Sequence, residues 1–356
     1  MRAGLDRFTD HDDDPVPTVD TLRRAVANGL LDERTIDDAV SRILALRRRL
    51  DESGTVPATE PAGPLAREAC RQSIVLLRND GFLPLRPDPE SRIAVVGQLA
   101  DVCLEDWYSG ELPYAVTPLD GITERARASN VRVRSTRGTD VVRFRVDGTQ
   151  YTVEVFDWGE GLSALRDVDN DKYLRIGDAG RLVADRERPA GWVVEETFRL
   201  RPDELEHVAS GTRLRLEDHT RLVDGPAQAA ALASEADVSI VVVGNHPLVG
   251  ARETADRSTL ALPSRQRDMI RAVVEANPRT VLVIVSGFPY VLGPLKHEIP
   301  AALWMSHGGQ ETGNGLADVL FGDHQPGGRL TQTWYGSSAD LERIGRIDDY
   351  DIIRSG

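Results

Sequence analysis

Val238-Ser-Ile-Val-Val-Val-Gly244 is a run of apolar, mostly β-branched residues that ends on a glycine. Three similar short runs lie elsewhere in the chain, at residues 93–97, 280–286 and 301–305. Amphipathic helical patterns at 226–236 and 264–276 precede the two middle runs. Strands that are apolar at every position are typical of sheets covered on both faces. The alternation therefore predicts an α/β fold with a mostly parallel sheet and helices on both faces.

Residues 141–217 interrupt this alternation of strands and helices. Val142-Arg-Phe-Arg-Val146 and Tyr151-Thr-Val-Glu-Val155 alternate apolar and polar residues on either side of Asp147-Gly148, a dipeptide typical of two-residue hairpin turns. Further short strands are predicted at residues 173–176, 182–184, 192–194 and 198–200. The sequence thus predicts a small all-β insert that shapes a cleft or forms an oligomer contact.

The first part of the chain is predicted to be helical. Thr18 is the predicted N-cap of a first helix that Gly29 closes, and a second helix begins near residues 32–35. Residues 53–64 are rich in Pro, Gly, Ser and Thr and predict a linker, after which a helix runs from 65 to about 77. We therefore divide the chain into 1–52, the linker 53–64, an α/β domain in two parts around the insert, and a tail. The two parts are 65–140 and 218–340, and the tail is 341–356.

Composition excludes several classes of protein. The chain has 356 residues and a net charge of -14, which repels phosphate backbones, so no nucleic-acid partner is expected. No apolar run approaches the ~18 residues of a membrane span, so no membrane partner is expected. Cys70 and Cys103 lack metal-ligand spacing, and we expect no metal and no organic cofactor. The first residues lack the pattern of a secretory signal, which favours a cytoplasmic location.

A long loop follows the central apolar run, at residues 244–263. It lies at the carboxyl end of a predicted strand, where open α/β sheets place their ligand sites. Arg252, Glu253, Asp256 and Arg257 form a charged cluster within it. Charge pattern alone leaves two interpretations open: a surface loop stabilised by ion pairs, or a functional position for Glu253.

Several motifs occur in a characteristic order. They are Ala66-Arg-Glu-Ala-Cys-Arg-Gln-Ser-Ile-Val-Leu-Leu-Arg-Asn-Asp80, Thr117-Pro-Leu-Asp-Gly-Ile122, the loop with Glu253 before Asp256-Arg257, Gly308-Gly-Gln-Glu-Thr-Gly313 and Pro326-Gly-Gly-Arg-Leu330. This series resembles the second domain of family 3 glycoside hydrolases, which are exo-acting β-glucosidases and β-xylosidases. It spans about residues 65–335 except the insert. Residues 1–52 resemble the end of that family's N-terminal (β/α)8-type barrel.

The resemblance implies roles for two carboxylates. Retaining glycoside hydrolysis needs a nucleophile and an acid/base about 5–5.5 Å apart. Glu253 matches the family's general acid/base. The family's nucleophile is an Asp in a Ser-Asp-Trp-like motif of the barrel, whereas the Asp-Trp pairs here are Asp106-Trp107 and Asp157-Trp158, in the second domain and in the insert. We therefore expect a fragment that lacks the nucleophile and is inactive alone.

Aromatic residues after the first sheet strand are candidates for sugar binding. Trp107 and Tyr108, with Arg252 from the Glu253 loop, are the predicted substrate-binding residues; Tyr114 lies nearby in the sequence. The alternative is that the aromatic residues pack against the barrel. His246 and His307 flank similar loops and are expected to be structural, because this reaction needs no imidazole.

The implied function is exo-acting, retaining hydrolysis of terminal non-reducing β-D-glucosyl residues from short oligosaccharides or aryl β-glycosides. A β-xylosidase of the same family is the first alternative, and a catalytically inactive carbohydrate-binding or partner-binding module is the second. The missing barrel is the expected intramolecular partner, with exposed apolar surface where it would pack, and homo-oligomers are compatible with the sequence. A Rossmann-type nucleotide site is disfavoured because Gln98-Leu-Ala-Asp101 provides no glycine fingerprint after the first strand.

Overall fold

The computed structural model describes residues 5–7, 15–52, 62–253, 255–337 and 339. The chain forms two compact units, Met1–Ala62 and Gly63–Gly356. Most of the predicted linker and the whole predicted tail lie outside the described residues. None of the helices in the described ranges combines the length and apolar character needed to cross a bilayer.

The first unit contains two helices, α1 (Val16–Ala27) and α2 (Glu33–Glu52). The prediction of Thr18 as N-cap is wrong, because α1 begins at Val16 with Pro15 at the capping position and no side-chain cap. A helix tolerates proline at its start, because the N–H groups there have no acceptor within the helix and the N–H that proline lacks would not be bonded anyway. Gly29 has φ +69°, as expected for a glycine that closes a helix. Helix α2 leaves Val40, Leu44 and Leu46 exposed.

The second unit is built on a six-stranded main sheet. Its strands are β1 (Val75–Asn79), β2 (Arg92–Val96), β3 (Arg132–Thr136), β13 (Val238–Gly244), β14 (Thr280–Val285) and β15 (Ala301–Met305). Their order in the sheet is β1-β15-β14-β13-β2-β3, and all neighbours are parallel except β1 and β15. Every residue of β13 and β14 is buried, which confirms the prediction of a parallel sheet covered on both faces.

Helices cover both faces of the main sheet. They are α3 (Gly63–Ser73), α4 (Pro118–Arg127), α5 (Gly225–Ser234), α6 (Ser264–Ala276), α7 (Leu295–Glu298) and α8 (Thr312–Phe321), and a short 3-10 helix spans Gly309–Glu311. Alternate strand residues Ala94 and Val96 pack in one core with α5 and α6, while Ile93 and Val95 pack in another with α4 and α8. A capping box between Thr117 and Asp120 starts α4.

The helix predicted at the start of this unit is partly wrong. The helix expected from 65 to about 77 ends at Ser73, and residues 75–79 form the edge strand β1, antiparallel to β15. Ile74 and Val75 are β-branched and buried, so they favour a strand once a partner such as β15 is available.

The insert is a nine-stranded antiparallel sheet with its own core around Phe144, Leu165 and Phe198. It runs from Asp140 to Val223 and thus continues past the predicted end at 217, because its last strand pairs with its first. Its strands are β4 (Asp140–Val146), β5 (Thr149–Gly159), β6 (Leu162–Asp167), β7 (Tyr173–Ile176), β8 (Leu182–Arg186), β9 (Thr197–Leu200), β10 (Glu204–His207), β11 (Arg213–Arg215) and β12 (Glu217–Val223). The first and last strands, β4 and β12, pair with each other. The chain thus enters and leaves the insert at one place.

The hairpin at the start of the insert forms as predicted. Val146 pairs with Thr149 across Asp147 and Gly148, which both have positive φ, as a type I′ turn requires. The strand expected at 192–194 is wrong, because these residues lie in consecutive turns. Trp192 and Val193 are exposed there, so apolar residues in this segment do not mark a strand.

Three side chains attach the insert to the main sheet at Asp157. The Asp157 carbonyl accepts hydrogen bonds from the amides of Gln98 at 3.0 Å and Gln266 at 3.3 Å. The Asp157 carboxylate accepts from the Ser264 hydroxyl and from the Arg265 N–H, at the first turn of α6. The position of the insert over the carboxyl edge of the sheet is therefore fixed by direct bonds.

Gly97 is placed where no side chain fits. It ends β2 with φ +123°, and a Cβ there would lie 2.0 Å from the Val242 carbonyl oxygen. A glycine is needed both for the dihedral angle and for the close approach of the two backbones. The loop that begins at Gly97 can consequently cross the end of the neighbouring strand.

We predict that Gly97→Ala lowers the free energy of unfolding by at least about 3 kcal/mol, because positive φ costs a Cβ residue ~1–2 kcal/mol and the steric overlap adds to it. Gly81→Ala is the matched control, since Gly81 has φ +85° but a Cβ there would have no neighbouring atom within 4 Å. Its expected loss is ~1–2 kcal/mol. Urea denaturation measures both, and equal losses would contradict the steric argument.

Candidate functional site

Glu253 lies in the loop that leaves the carboxyl end of the central strand β13. The Ala255 N–H donates to the Arg252 carbonyl at 3.0 Å, and this closes a tight turn around Glu253. The carboxylate is exposed at a cleft of about 350 Å³ that also contains residues after β2, β14 and β15. The parallel sheet brings these loops together, because its strands all end at one edge.

Tyr108 is the direct partner of Glu253. Its phenol O–H donates to Glu253 Oε2, and this bond, followed by burial and the nearby carboxylates, raises the pKa of Tyr108. Asp106 holds the Tyr108 turn, because its Oδ1 accepts the N–H groups of Tyr108 at 2.8 Å and Ser109 at 2.7 Å. Burial opposes ionisation of Asp106, but these hydrogen bonds outweigh it and lower its pKa.

Trp107 and Arg252 meet at the cleft beside a segment of the insert. The Trp107 ring lies 4.4 Å from the Trp192 ring, centroid to centroid, and its Nε1 donates to the Gly191 carbonyl at 2.8 Å. Arg252 donates to the Val193 carbonyl at 3.2 Å, and its guanidinium carbon lies 6.0 Å from the Trp107 ring centroid. The structure thus brings Trp107, Tyr108, Arg252 and Glu253 to one cleft.

His307 also reaches this cleft, and His246 is buried close by. His307 Nε2 lies 3.3 Å from Asn245 Oδ1, and His246 Nδ1 accepts the Leu248 N–H at 3.1 Å. Burial lowers the pKa of His307 to about 4 and, with a smaller contribution from the charge of His307, that of His246 to about 3. Both imidazoles are therefore neutral at pH 7 and serve as hydrogen-bonding groups.

The described lining supplies a carboxylate with a phenol partner, aromatic side chains and a guanidinium. Tyr114 contacts a different carboxylate, because its O–H donates to the buried Glu311 at 2.7 Å. Among the described residues, no three His, Cys, Asp or Glu side chains converge as a metal-binding group. The cleft therefore combines a group able to exchange a proton, Glu253, with aromatic and hydrogen-bonding side chains.

Some contacts of the lining could not be found from the sequence. Trp192 and Val193 of the insert contact Trp107 and Arg252. They lie more than 80 residues from Trp107, and the sequence pattern predicts a strand for their segment. Asn245 also lines the cleft. The sequence signal for it is its position directly after Gly244, at the end of β13. The polar residues of the loop after β13 cannot be distinguished from those of an ordinary surface loop by sequence alone, because the sequence does not show which residues lie next to them.

Comparison with known proteins identifies related chains. The profile of the "Glycosyl hydrolase family 3 C-terminal domain" matches residues 74–353. A β-glucosidase of Rhizobium radiobacter is 29% identical over 405 aligned residues, covering 91% of this chain and 49% of the relative. "Probable beta-D-xylosidase 6" of Arabidopsis thaliana is 38% identical over 333 residues, covering 88% of this chain and 32% of the relative.

The fold has counterparts among solved structures. The crystal structure of β-glucosidase from Kluyveromyces marxianus in complex with glucose superposes with a TM-score of 0.63 and 20% sequence identity. The alignment covers 95% of this chain and 51% of that one. The chain spans about half the length, or less, of the curated relatives it matches.

We predict that Glu253→Gln lowers the pKa of Tyr108 toward its ordinary value, because the anionic acceptor that raises it is lost. Ultraviolet difference titration of the phenols measures the change, and Tyr108→Phe identifies the affected group. Glu311→Gln is the matched control, since it removes the carboxylate that raises the pKa of Tyr114 instead. A Tyr108 titration that is the same with and without Glu253 would rule out the contact.

We predict a second pH effect at His246. Its folded-state pKa of about 3 lies below the ordinary 6.5, so below pH 6.5 the unfolded chain binds a proton that the folded chain does not. Stability is therefore lost as pH falls from about 6.5 toward 3, at up to ~1.4 kcal/mol per pH unit. His246→Asn should flatten this part of the profile in urea denaturation, and a profile unchanged by the substitution would contradict the buried neutral imidazole.

Proposed function

Because the chain belongs to glycosyl hydrolase family 3, through the C-terminal domain that residues 74–353 match, we propose that it supplies the general acid/base to an exo-acting, retaining β-glucosidase. The observation that carries the proposal is the position of Glu253. Its carboxylate is exposed at a cleft beside Trp107, after the central parallel strand. The names of relatives such as the Rhizobium radiobacter β-glucosidase favour a glucoside.

In this proposal Glu253 protonates the glycosidic oxygen of the leaving group and then deprotonates the water that releases the sugar. Tyr108 holds Oε2 of the carboxylate, which leaves the other oxygen to exchange the proton. Trp107 offers an aromatic face to the apolar face of a sugar ring, and Arg252 offers N–H donors to its hydroxyls. Tyr108 and Arg252 are thus positioning and binding groups.

The second carboxylate of the reaction comes from outside this cleft in our proposal. Neither Asp-Trp pair of the chain suits the role of nucleophile. Asp106 is occupied by the N–H groups of Tyr108 and Ser109, and Asp157 holds the insert on α6. We therefore propose that residues 1–356 alone hydrolyse glycosides negligibly and that a barrel segment must supply the nucleophile.

A β-xylosidase is the second candidate. The specific observation in its favour is the Arabidopsis relative, whose 38% identity over 333 residues exceeds that of the Rhizobium β-glucosidase. The test compares the rates of nitrophenol release from the β-glucoside and from the β-xyloside by the chain mixed with a barrel fragment. The faster substrate decides between the two activities.

We predict that mixing the chain with a separately expressed barrel fragment of a family member restores turnover of nitrophenyl β-glucoside. Glu253→Ala should then lower turnover by about 10²–10⁴-fold, the usual contribution of general acid–base catalysis. Added azide should restore it and yield the β-glucosyl azide, because azide attacks the glycosyl-enzyme without a general base.

Glu111→Ala is the matched control, since Glu111 is an exposed carboxylate on the Tyr108 loop that does not line the cleft, and it should keep normal turnover. Full activity of Glu253→Ala, or strong hydrolysis by residues 1–356 without a barrel, would refute the assignment. Sugar binding without turnover in the mixture would instead favour an inactive carbohydrate-binding module.

A further inference from the structure

The end of strand β5 of the insert lies against both ends of the loop with Glu253. Near the start of the loop, a Cβ on Gly250 would lie 3.0 Å from the Trp158 carbonyl oxygen. Near its end, a Cβ on Gly159 would lie 3.6 Å from Pro263. The insert is therefore a direct neighbour of the segment that carries the acid/base candidate.

Glu160 follows directly after β5 and holds the middle of the same loop. Its Oε1 accepts both the backbone N–H and the hydroxyl of Ser258, which lies five residues after Glu253. Hydrogen bonds to an ionised acceptor are roughly twice as strong as those between neutral groups. These two bonds join the β5–β6 turn of the insert to the loop across 98 positions of the sequence.

The backbone of Glu160 is unusual for a glutamate. Glu160 and Gly161 form the two-residue turn between β5 and β6, and their φ angles are +54° and +73°. Turns of this type favour Asn, Asp or Gly at the first position, because positive φ costs other residues ~1–2 kcal/mol. A glutamate here gives up turn stability and gains the contact with Ser258.

The residue before Ser258 fixes the loop on its other side. The Arg257 guanidinium carbon lies 3.9 Å from the Phe288 ring centroid and 5.4 Å from that of Tyr290, in the loop after β14. Burial lowers the pKa of Arg257, and the negative charge of Glu160 is among the influences that oppose this shift. Glu160 thus acts on two adjacent residues, because it accepts from Ser258 and stabilises the Arg257 cation.

The part of the loop that carries Glu253 is exposed. Ala255, Asp256 and Ser258 are exposed as well, so this segment has little buried apolar surface to hold its backbone. Its position depends instead on individual hydrogen bonds. The bond from the Tyr108 phenol to Glu253 forms only while the loop stays within reach of Tyr108.

We propose that Glu160 is a positioning residue for Glu253. By holding Ser258, it keeps the loop in the conformation in which Glu253 contacts Tyr108 at the cleft. The insert thereby determines where the carboxylate lies without adding a group to the reaction. The consequence for catalysis rests on the acid/base role proposed above for Glu253, whereas the effect on the Tyr108 contact does not.

Titration of Tyr108 in residues 1–356 tests the structural part of this proposal. Glu160→Ala removes the acceptor of Ser258, so Glu253 should leave Tyr108 more often. The raised pKa of Tyr108 should then fall toward its ordinary value, in ultraviolet difference titration assigned with Tyr108→Phe. Glu160→Gln keeps an acceptor oxygen and should retain most of the raised pKa. Glu90→Ala is the matched control, since Glu90 is also an exposed glutamate with positive φ, and it should leave Tyr108 unchanged.

Turnover by the chain mixed with a barrel fragment tests the catalytic part. Phenyl β-glucoside needs an acid to protonate its leaving group, whereas 2,4-dinitrophenyl β-glucoside releases a stable anion without one. Glu160→Ala should therefore lower kcat/KM for the phenyl substrate about tenfold or more, because a displacement of ~1 Å can cost ~10²-fold. The value for the dinitrophenyl substrate should stay the same. A general loss of folded protein would lower both equally.

The outcomes separate this proposal from the proposed function. A Tyr108 titration that is identical in the unmodified chain and in Glu160→Ala overturns the proposal. Equal effects of Glu160→Ala and Glu90→Ala on Tyr108, or equal losses of kcat/KM for the two substrates, also overturn it. Absence of turnover in the mixture with the unmodified chain contradicts the acid/base role of Glu253 instead, and the Tyr108 titration then decides whether Glu160 positions the loop.

Discussion

The side-chain amide of Gln266 joins three parts of the molecule. Its Oε1 accepts the Gly244 N–H at 2.9 Å, and its Nε2 donates to the Gly244 carbonyl at 3.0 Å and to the Asp157 carbonyl at 3.3 Å. Gln266 is 2% exposed, so these bonds form without competition from water. They fix helix α6, the end of β13 and the insert relative to one another. The position of the loop with Glu253 and the position of the insert both depend on that arrangement.

The core of the main sheet could be predicted from the sequence because each of its strands is specified by a pattern within a few consecutive residues. Residues 238–244, 280–285 and 301–305 are apolar at almost every position, and α6 has the bounds that its periodicity indicates. Strand β1 could not be predicted, since Val75 and Leu76 continue a helical pattern and become a strand through pairing with β15. The strand prediction at 192–194 is wrong because these residues lie in consecutive turns, where Trp192 packs on Trp107 instead of pairing with a strand.

The candidate site could likewise be predicted only in part from the sequence. Glu253 could be identified because it follows a strand and lies within a recognisable motif. Its contact with Tyr108 joins residues 145 positions apart, and no local pattern encodes such a distance. The burial that keeps His246 and His307 neutral is also a property of the assembled sheet edge rather than of their neighbours in sequence. Tertiary placement, which sequence patterns report poorly, thus determines the chemistry of the cleft.

The pairing of β4 with β12 makes the insert a module. Its two ends leave the α/β domain side by side, next to the contact between Gly138 and Gly225, where a Cβ on Gly225 would lie 2.2 Å from the Gly138 carbonyl oxygen. A segment whose termini are adjacent can be exchanged for a longer or shorter one without moving the strands and helices that flank it. The sheet that positions Glu253 can therefore be inherited unchanged while the insert beside the cleft is replaced. Ligand preference can then evolve separately from the scaffold.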